Sequence, residues 1–175
     1  MVAVSNSGPL IVFARARGLD LLPAAFGEIL VPPAVWEEVV VDGASRPGVA
    51  EVAAAGWIRR QPLGSLDEAG SLLEELGRGE AEAIALATEV GPRILFLLDD
   101  RKGRRLARER NLLVVGSAGV LVVAEERGAV SQVRPVLDEL RSAGLYLTSA
   151  VIDGVLVLSG EAEPPTTSPE RAARG

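Results

Sequence analysis

Short apolar runs alternate with longer amphipathic stretches along most of the chain. Each apolar run has the length of a strand, and each is followed by polar and apolar residues in a helical rhythm. This alternation is typical of βα units, whose strands join in a parallel sheet, so the sequence predicts an α/β fold. The predicted strands are VAV (2–4), EILV (28–31), ILFLL (94–98) and NLLVV (111–115).

Composition divides the chain into one domain and a tail. Residues 160–175, GEAEPPTTSPERAARG, have the composition of a disordered segment. We therefore expect a single domain over residues 1–158 and a disordered C-terminal tail over 159–175. Further helices are predicted over 66–76, 79–90, 133–143 and 149–158.

Hydropathy indicates no membrane segment. The uncharged stretches are shorter than the roughly 18 residues that a membrane-spanning helix needs. The positive charges of Arg15 and Arg17 follow the apolar N-terminal stretch, which is the reverse of a secretory signal. We expect a cytoplasmic protein that does not enter a membrane.

Composition narrows the chemistry. The chain has no Cys and no His, which excludes disulfides, thiolate zinc sites and imidazole ligands or bases. A bound metal would be a hard cation held by oxygen atoms, Mg²⁺ or Mn²⁺, and the acid–base groups would be Asp, Glu, Lys or Tyr. The net charge of −6 argues against non-specific coating of nucleic acid, so a nucleic-acid surface would have to be local.

The most prominent carboxylates follow the strand at residues 94–98. Asp99 and Asp100 lie between this strand and a predicted helix, at the carboxyl end where ligands collect in open α/β sheets. One of them could equally cap the helix that follows. The local sequence leaves cap and metal ligand open.

Two pairs of glutamates are further candidates. Glu80 and Glu82 lie in the first turn of a predicted helix, where the helix dipole alone favours acids. Glu37 and Glu38 flank the apolar face of another helix nearly symmetrically, because successive residues are about 100° apart. Helical phase therefore does not choose between Glu37 and Glu38.

A basic cluster follows the Asp pair directly. On this helix Arg101, either Arg104 or Arg105, and Arg108 share one face. A solvated surface helix is the simple alternative, but cations beside a carboxylate site suit a phosphodiester substrate. The cluster is therefore a candidate surface for a phosphodiester substrate.

Polar residues at two other strand ends complete the set. Asn6 and Ser7 follow the first strand, where a carboxylate would be expected. Ser117 lies in a strand, turn and helix segment that offers backbone amides to a phosphate, or is simply a tight turn. We treat Ser7 and Ser117 as auxiliary.

Four segments, in order and with similar spacing, resemble the PIN domain, and in particular its VapC-toxin-like branch of unknown function. That pattern runs S-D-T-S-P-L-I, V-P-x-x-V-x-x-E-V, G-E-A-E-A-I-x-L-A and L-D-D-x-x-x-R-x-x-A. In this chain the segments are SNSGPLI (5–11), VPPAVWEEVV (31–40), GEAEAIALA (79–87) and LDDRKGRRLA (98–107).

The resemblance implies a three-layer α/β/α sandwich and a Mg²⁺- or Mn²⁺-dependent ribonuclease of the VapC toxin type. It favours Glu38 over Glu37, and it implies at least one acid from each of the other two pairs. Asn6 stands in place of the first aspartate, so one negative charge is missing and metal binding should be weakened. The implied catalytic residues are Glu38, Glu80, Glu82, Asp99 and Asp100. The implied metal ligands are Asn6, Glu38, Glu82, Asp99 and Asp100.

The resemblance also implies partners. These are RNA, held by Arg101, Arg104, Arg105 and Arg108, a small antitoxin protein, and a second copy in a homodimer. The alternative function is a non-catalytic PIN-like module that binds RNA or a protein. A phosphoacceptor receiver is disfavoured, because its acid pair follows the first strand rather than a late one.

Overall fold

The computed structural model describes residues 2–164. Within this part of the chain, five strands form one parallel sheet in the order β3-β2-β1-β4-β5. The predicted α/β class is therefore confirmed. The strands are β1 (Val2–Ser5), β2 (Glu28–Val31), β3 (Ile58–Arg60), β4 (Leu95–Leu97) and β5 (Leu113–Val115).

Ten α-helices connect and cover these strands within residues 2–164, and none of them is long and apolar enough to span a bilayer. One helix, α3, continues directly into a π-helical segment, Glu37–Val41. The helices are α1 (Ser7–Arg15), α2 (Leu21–Phe26), α3 (Pro33–Trp36), α4 (Val49–Ala54), α5 (Asp67–Leu72), α6 (Arg78–Val90), α7 (Arg101–Glu109), α8 (Ser117–Glu126), α9 (Val133–Ser142) and α10 (Ser149–Leu158).

The helices lie on both faces of the sheet. Helix α6 packs on β1 and β4 and contacts α5 and α7, while α8 contacts α2, α9 and α10 on the other side. Phe13, Phe26 and Phe96 are fully buried in the core between the layers. The architecture is the three-layer α/β/α sandwich that the resemblance implies.

Strand β3 was not predicted from the sequence. It is a short edge strand that pairs only with β2 in the described sheet, and of its residues only Ile58 is buried, whereas Arg59 and Arg60 are exposed. An edge strand with one buried side chain lacks the apolar run that identified the other four. The predicted helix over 66–76 is also shorter, since α5 ends at Leu72.

The sheet changes winding direction at β1. The chain leaves β1 towards β2 on one side and later reaches β4 on the other, so a crevice opens between the carboxyl ends of β1 and β4. Ser5 is in register with Leu97, and the backbone N–H of Asn6 donates to the Leu97 carbonyl at 3.1 Å. Asn6 is thereby held beside the segment that leads to Asp99 and Asp100.

The chain still contacts the folded domain beyond residue 158. The carboxylate of Glu161 accepts hydrogen bonds from the backbone N–H groups of Val133 and Arg134, the latter at 3.0 Å. Glu161 therefore caps the start of α9, and the folded unit extends past the predicted boundary between 158 and 159. Residues 165–175 of the predicted tail lie outside the described residues.

Candidate active site

Asn6 begins helix α1 and faces a cavity. Its backbone is extended (φ −78°, ψ 172°), and its Oδ1 accepts hydrogen bonds from the Ser7 backbone N–H at 2.7 Å and from the Ser7 hydroxyl at 3.3 Å. An N-cap is a role that Asn and Asp fill equally well. Capping therefore does not explain why this position holds an amide rather than a carboxylate.

The cavity has a volume of about 400 Å³ and lies at the carboxyl edge of the sheet. Its walls come from the end of β1, the π-helical segment and the N-terminus of α6. Polar side chains dominate the lining. They include Asn6, Ser7, Glu37, Glu38, Arg78 and Glu80.

The π-helical segment gives the two neighbouring glutamates different partners. The backbone N–H of Asp42 donates to the Glu37 carbonyl at 2.9 Å, the wide spacing that defines a π turn. The Glu37 carboxylate pairs with the Arg78 guanidinium at 2.9 Å. The Glu38 carboxylate has no hydrogen bond or ion pair in the described part of the chain and lies against Gly79.

Glu80 is half-buried in this cavity among other acids. Burial raises the pKa of its carboxyl group, and the charges of Asp100 and Glu38 raise that pKa further. The backbone N–H of Gly77 and the Lys102 ammonium act in the opposite direction. The charges of three acidic side chains therefore act on one another here, and the net effect disfavours the charged form of Glu80.

Glu82 faces a different direction from Glu80. Its carboxylate is buried, and it accepts hydrogen bonds from the Ala34 backbone N–H at 3.0 Å and from the Arg78 Nε at 2.8 Å. Both oxygens are therefore engaged. Glu82 joins the start of α3 to α6, and it does not line the cavity.

Asp99 and Asp100 each cap a helix. Asp100 Oδ2 accepts from the Gly103 backbone N–H at 2.7 Å and so caps α7, its own helix. The two oxygens of Asp99 accept from the Ser117 N–H at 2.7 Å and from the Ser117 hydroxyl at 2.6 Å. Asp99 therefore fixes the start of α8. Of the two aspartates, Asp100 is the one whose charge acts on Glu80.

A second cavity, of about 720 Å³, has Asp99 in its lining. One rim carries Arg101, Arg104 and Arg108, and the opposite wall consists mainly of apolar side chains from α8 and α10. Burial lowers the pKa of Arg104, and the neighbouring charge of Arg108 lowers it further, while Asp99 opposes both. We call this cavity the arginine groove.

Arg105 lies on another face of α7. Its guanidinium is 3.7 Å from carboxylate oxygens of Glu75 and of Glu109. The sequence left Arg104 and Arg105 as alternatives for the shared basic face. The structure places Arg104 in the groove and Arg105 outside it, paired with acids.

The donor set of the acidic cavity suits a hard cation, although the ligands are not assembled around a common point. In residues 2–164 no group of three or more acidic side chains is close enough to coordinate one ion. The acidic side chains that face or influence the cavity nevertheless offer oxygen donors, which Mg²⁺ and Mn²⁺ prefer, whereas Arg78, which also lines the cavity, is itself a cation. Burial is the main cause of the raised pKa of Glu80, and the charges of Asp100 and Glu38 add to it; a cation here would offset those charges.

The fold agrees with a comparison of the sequence against protein families, which matches residues 2–161 to the PIN domain. The chain belongs to the PIN domain family. This membership makes it a nuclease-type module. Comparisons with curated proteins and with solved structures gave no match.

Three residues of the site were missed by the sequence reasoning, and the first is Asp42, an acid directly after the π-helical segment that lines the cavity. Arg78 bridges Glu37 and Glu82, and its spacing of four residues from Glu82 on one helix is a recognisable sign of an ion pair. Gly79 lies in the first turn of α6 and contacts the Glu38 carboxylate. Nothing in the local sequence indicates that contact.

Proposed function

We propose that the chain is a Mg²⁺- or Mn²⁺-dependent ribonuclease of the VapC toxin type. The observation that carries the proposal is the meeting of Asn6, Glu38 and Glu80 in one cavity at the carboxyl edge of the sheet, with Asp100 close enough to raise the pKa of Glu80. Membership of the PIN domain family supports it. Metal-assisted hydrolysis is the chemistry for which such a carboxylate set is suited.

In this proposal Glu38, Glu80 and Asp100 would hold the ion through carboxylate oxygens, and Asn6 through its amide oxygen. The ion would stabilise negative charge on the phosphate and lower the pKa of a bound water. Glu82 and Asp99 act instead as positioning residues. Glu82 fixes α3 against α6, and Asp99 fixes the start of α8 through Ser117.

The arginine groove would bind the RNA backbone next to this cavity. Asp99 lines the groove and Asp100 acts on the cavity, so the two adjacent aspartates connect one region to the other. Arginine guanidinium groups bind phosphate in a geometry that carries no base information. We therefore propose that the groove sets RNA affinity rather than sequence preference.

In this proposal Asn6 weakens the affinity of the site for its metal ion. An amide oxygen can bind a cation, but it contributes no charge, and affinity for hard cations rises with ligand charge. The VapC-like reading also includes a small antitoxin protein, a homodimer and a cytoplasmic location as further parts of the proposal.

A non-catalytic module that binds RNA or a protein is the second candidate. It is favoured by the amide at Asn6 and by the capping bonds of Asp99 and Asp100, which give both aspartates a structural role. Such a module would use the arginine groove and would leave the acidic cavity without a reaction.

Incubation of the purified chain with a mixed RNA pool, in Mn²⁺ or in chelator, tests the proposal. We expect cleavage in Mn²⁺ that stops in chelator and is lost in Glu38→Gln, whereas Glu139→Gln on α9 should cleave normally. Retention of RNA on the protein without cleavage would favour the binding module. The absence of both cleavage and RNA binding would contradict the ribonuclease and the RNA-binding module.

A further inference from the structure

Gly79 lies in the first turn of α6, the helix on which α3 packs. Glu82, one turn further along α6, is bonded to the backbone at the start of α3. This bond fixes how closely the two helices approach. The space between Gly79 and the π-helical segment is therefore set by the surrounding structure.

The Glu38 carboxylate fills that space. A Cβ atom added at Gly79 would lie 2.6 Å from Glu38 Oε2, closer than real Cβ contacts come. The same atom would meet Val35 Cγ2 at 3.7 Å, an ordinary van der Waals contact. A methyl group here would therefore displace the carboxylate and leave the helix packing in place.

Backbone conformation does not account for this glycine. Gly79 has helical backbone geometry and is not among the glycines with positive φ in the described residues. Glycine is unfavourable inside a helix, and alanine would be the better helix former. The structure shows a different requirement for glycine at position 79, which is room for the Glu38 side chain.

We propose that Gly79 is a positioning residue whose missing side chain lets the Glu38 carboxylate lie in the acidic cavity, at a distance from which it can share a cation with Glu80. The inference rests on the proposed metal site. Its effect would be on cation affinity, because replacing Gly79 moves one ligand and removes none.

The variant that tests this is Gly79→Ala, with Gly70→Ala on α5 as the matched control. Gly70 is also helical, and a Cβ atom there would meet nothing within 4 Å. We would measure Mn²⁺ binding by calorimetry and thermal unfolding in chelator for both variants, the wild type and Glu38→Gln. Gly79→Ala should bind Mn²⁺ about 10- to 100-fold more weakly, the usual effect of disturbing ligand orientation. Gly70→Ala should bind as the wild type does.

A double variant adds a test of mechanism. Glu38→Asp shortens the side chain by one methylene and withdraws the carboxylate from the position of the added methyl. The losses of Mn²⁺ affinity from Gly79→Ala and Glu38→Asp should therefore be less than additive when combined, as for residues in direct contact. Fully additive losses would contradict the inference.

The outcomes separate the inference from the proposed function. Equal Mn²⁺ affinity in the wild type and Glu38→Gln would contradict the metal site, and the inference with it. Weak binding in Glu38→Gln but wild-type binding in Gly79→Ala would overturn the inference alone. A Gly79→Ala variant that unfolds far below the wild type in chelator would also overturn it, because the space would then serve packing.

Discussion

Glu80 and Glu82 stand two residues apart on α6 and carry the same side chain, yet their replacement by glutamine should have opposite effects. Glu82 is buried, with each carboxylate oxygen accepting one hydrogen bond. Glutamine has one oxygen and one NH₂ group. In Glu82→Gln, one of the two donors, Ala34 N–H or Arg78 Nε, would therefore face another donor.

The loss in Glu82→Gln follows from the hydrogen bond that cannot form. A hydrogen bond to a charged group contributes about 1.5–3 kcal/mol, and a buried donor left without a partner costs a similar amount. For a domain of this size, 1 kcal/mol corresponds to a change in Tm of about 2–4 °C. We therefore expect Glu82→Gln to lower the Tm by about 3–12 °C.

Glu80→Gln should leave stability unchanged or raise it in chelator. The pKa of Glu80 is raised by burial and by Asp100, so its charge opposes folding. This cost is absent below the ordinary carboxyl pKa of about 4.3 and develops as pH rises through the folded-state pKa. The advantage of Glu80→Gln should accordingly be present at neutral pH and vanish below about pH 4.

Thermal unfolding of both variants and the wild type, in chelator at several pH values, is the assay. Added Mn²⁺ should then raise the Tm of the wild type and of Glu82→Gln more than that of Glu80→Gln, because binding to the folded state stabilises it. A larger loss of Tm in Glu80→Gln than in Glu82→Gln would refute the assignment of the two side chains.

Two further predictions concern the arginine groove and the C-terminal segment. Arg104→Ala should weaken RNA binding and reduce its salt dependence by about one phosphate contact in a fluorescence anisotropy titration, whereas Arg105→Ala should change little; equal effects would contradict the proposed role of the groove. Glu161→Ala should cost about 1 kcal/mol through loss of the cap on α9, while removal of residues 165–175 should leave the Tm unchanged. A truncation as damaging as Glu161→Ala would mean that residues beyond the cap also stabilise the fold.

The sequence predicted the elements with strong periodicity and failed where tertiary contacts decide. Four strands were visible as apolar runs, but β3 was not, because an edge strand with one buried residue has no such run. The boundary at 158 was placed by composition. The bond from Glu161 to α9 joins residues far apart in the chain, and no local pattern reports it.

Choices within residue pairs also depended on the structure. Glu37 and Glu38 were equivalent by helical phase, and a π turn together with Arg78 distinguishes them. For Asp99 and Asp100 the sequence left open whether each residue caps a helix or binds a metal ion. The structure shows that both aspartates cap helices. Asp100 caps α7, which it directly precedes, whereas Asp99 caps α8, which follows the next strand. That partner lies 18 residues away in sequence, beyond the reach of a local capping rule.

The central claim is that the acidic cavity is a cation-dependent phosphodiester site short of one carboxylate. The most direct test is the rate of RNA cleavage by the wild type and by Asn6→Asp across a Mn²⁺ titration, with Glu38→Gln and chelator as controls. Aspartate can keep the cap on α1 and adds a negative charge. We expect Asn6→Asp to cleave faster and to reach half its maximal rate at a lower Mn²⁺ concentration. Cleavage that persists in chelator or in Glu38→Gln, or identical Mn²⁺ responses in the wild type and Asn6→Asp, would contradict it.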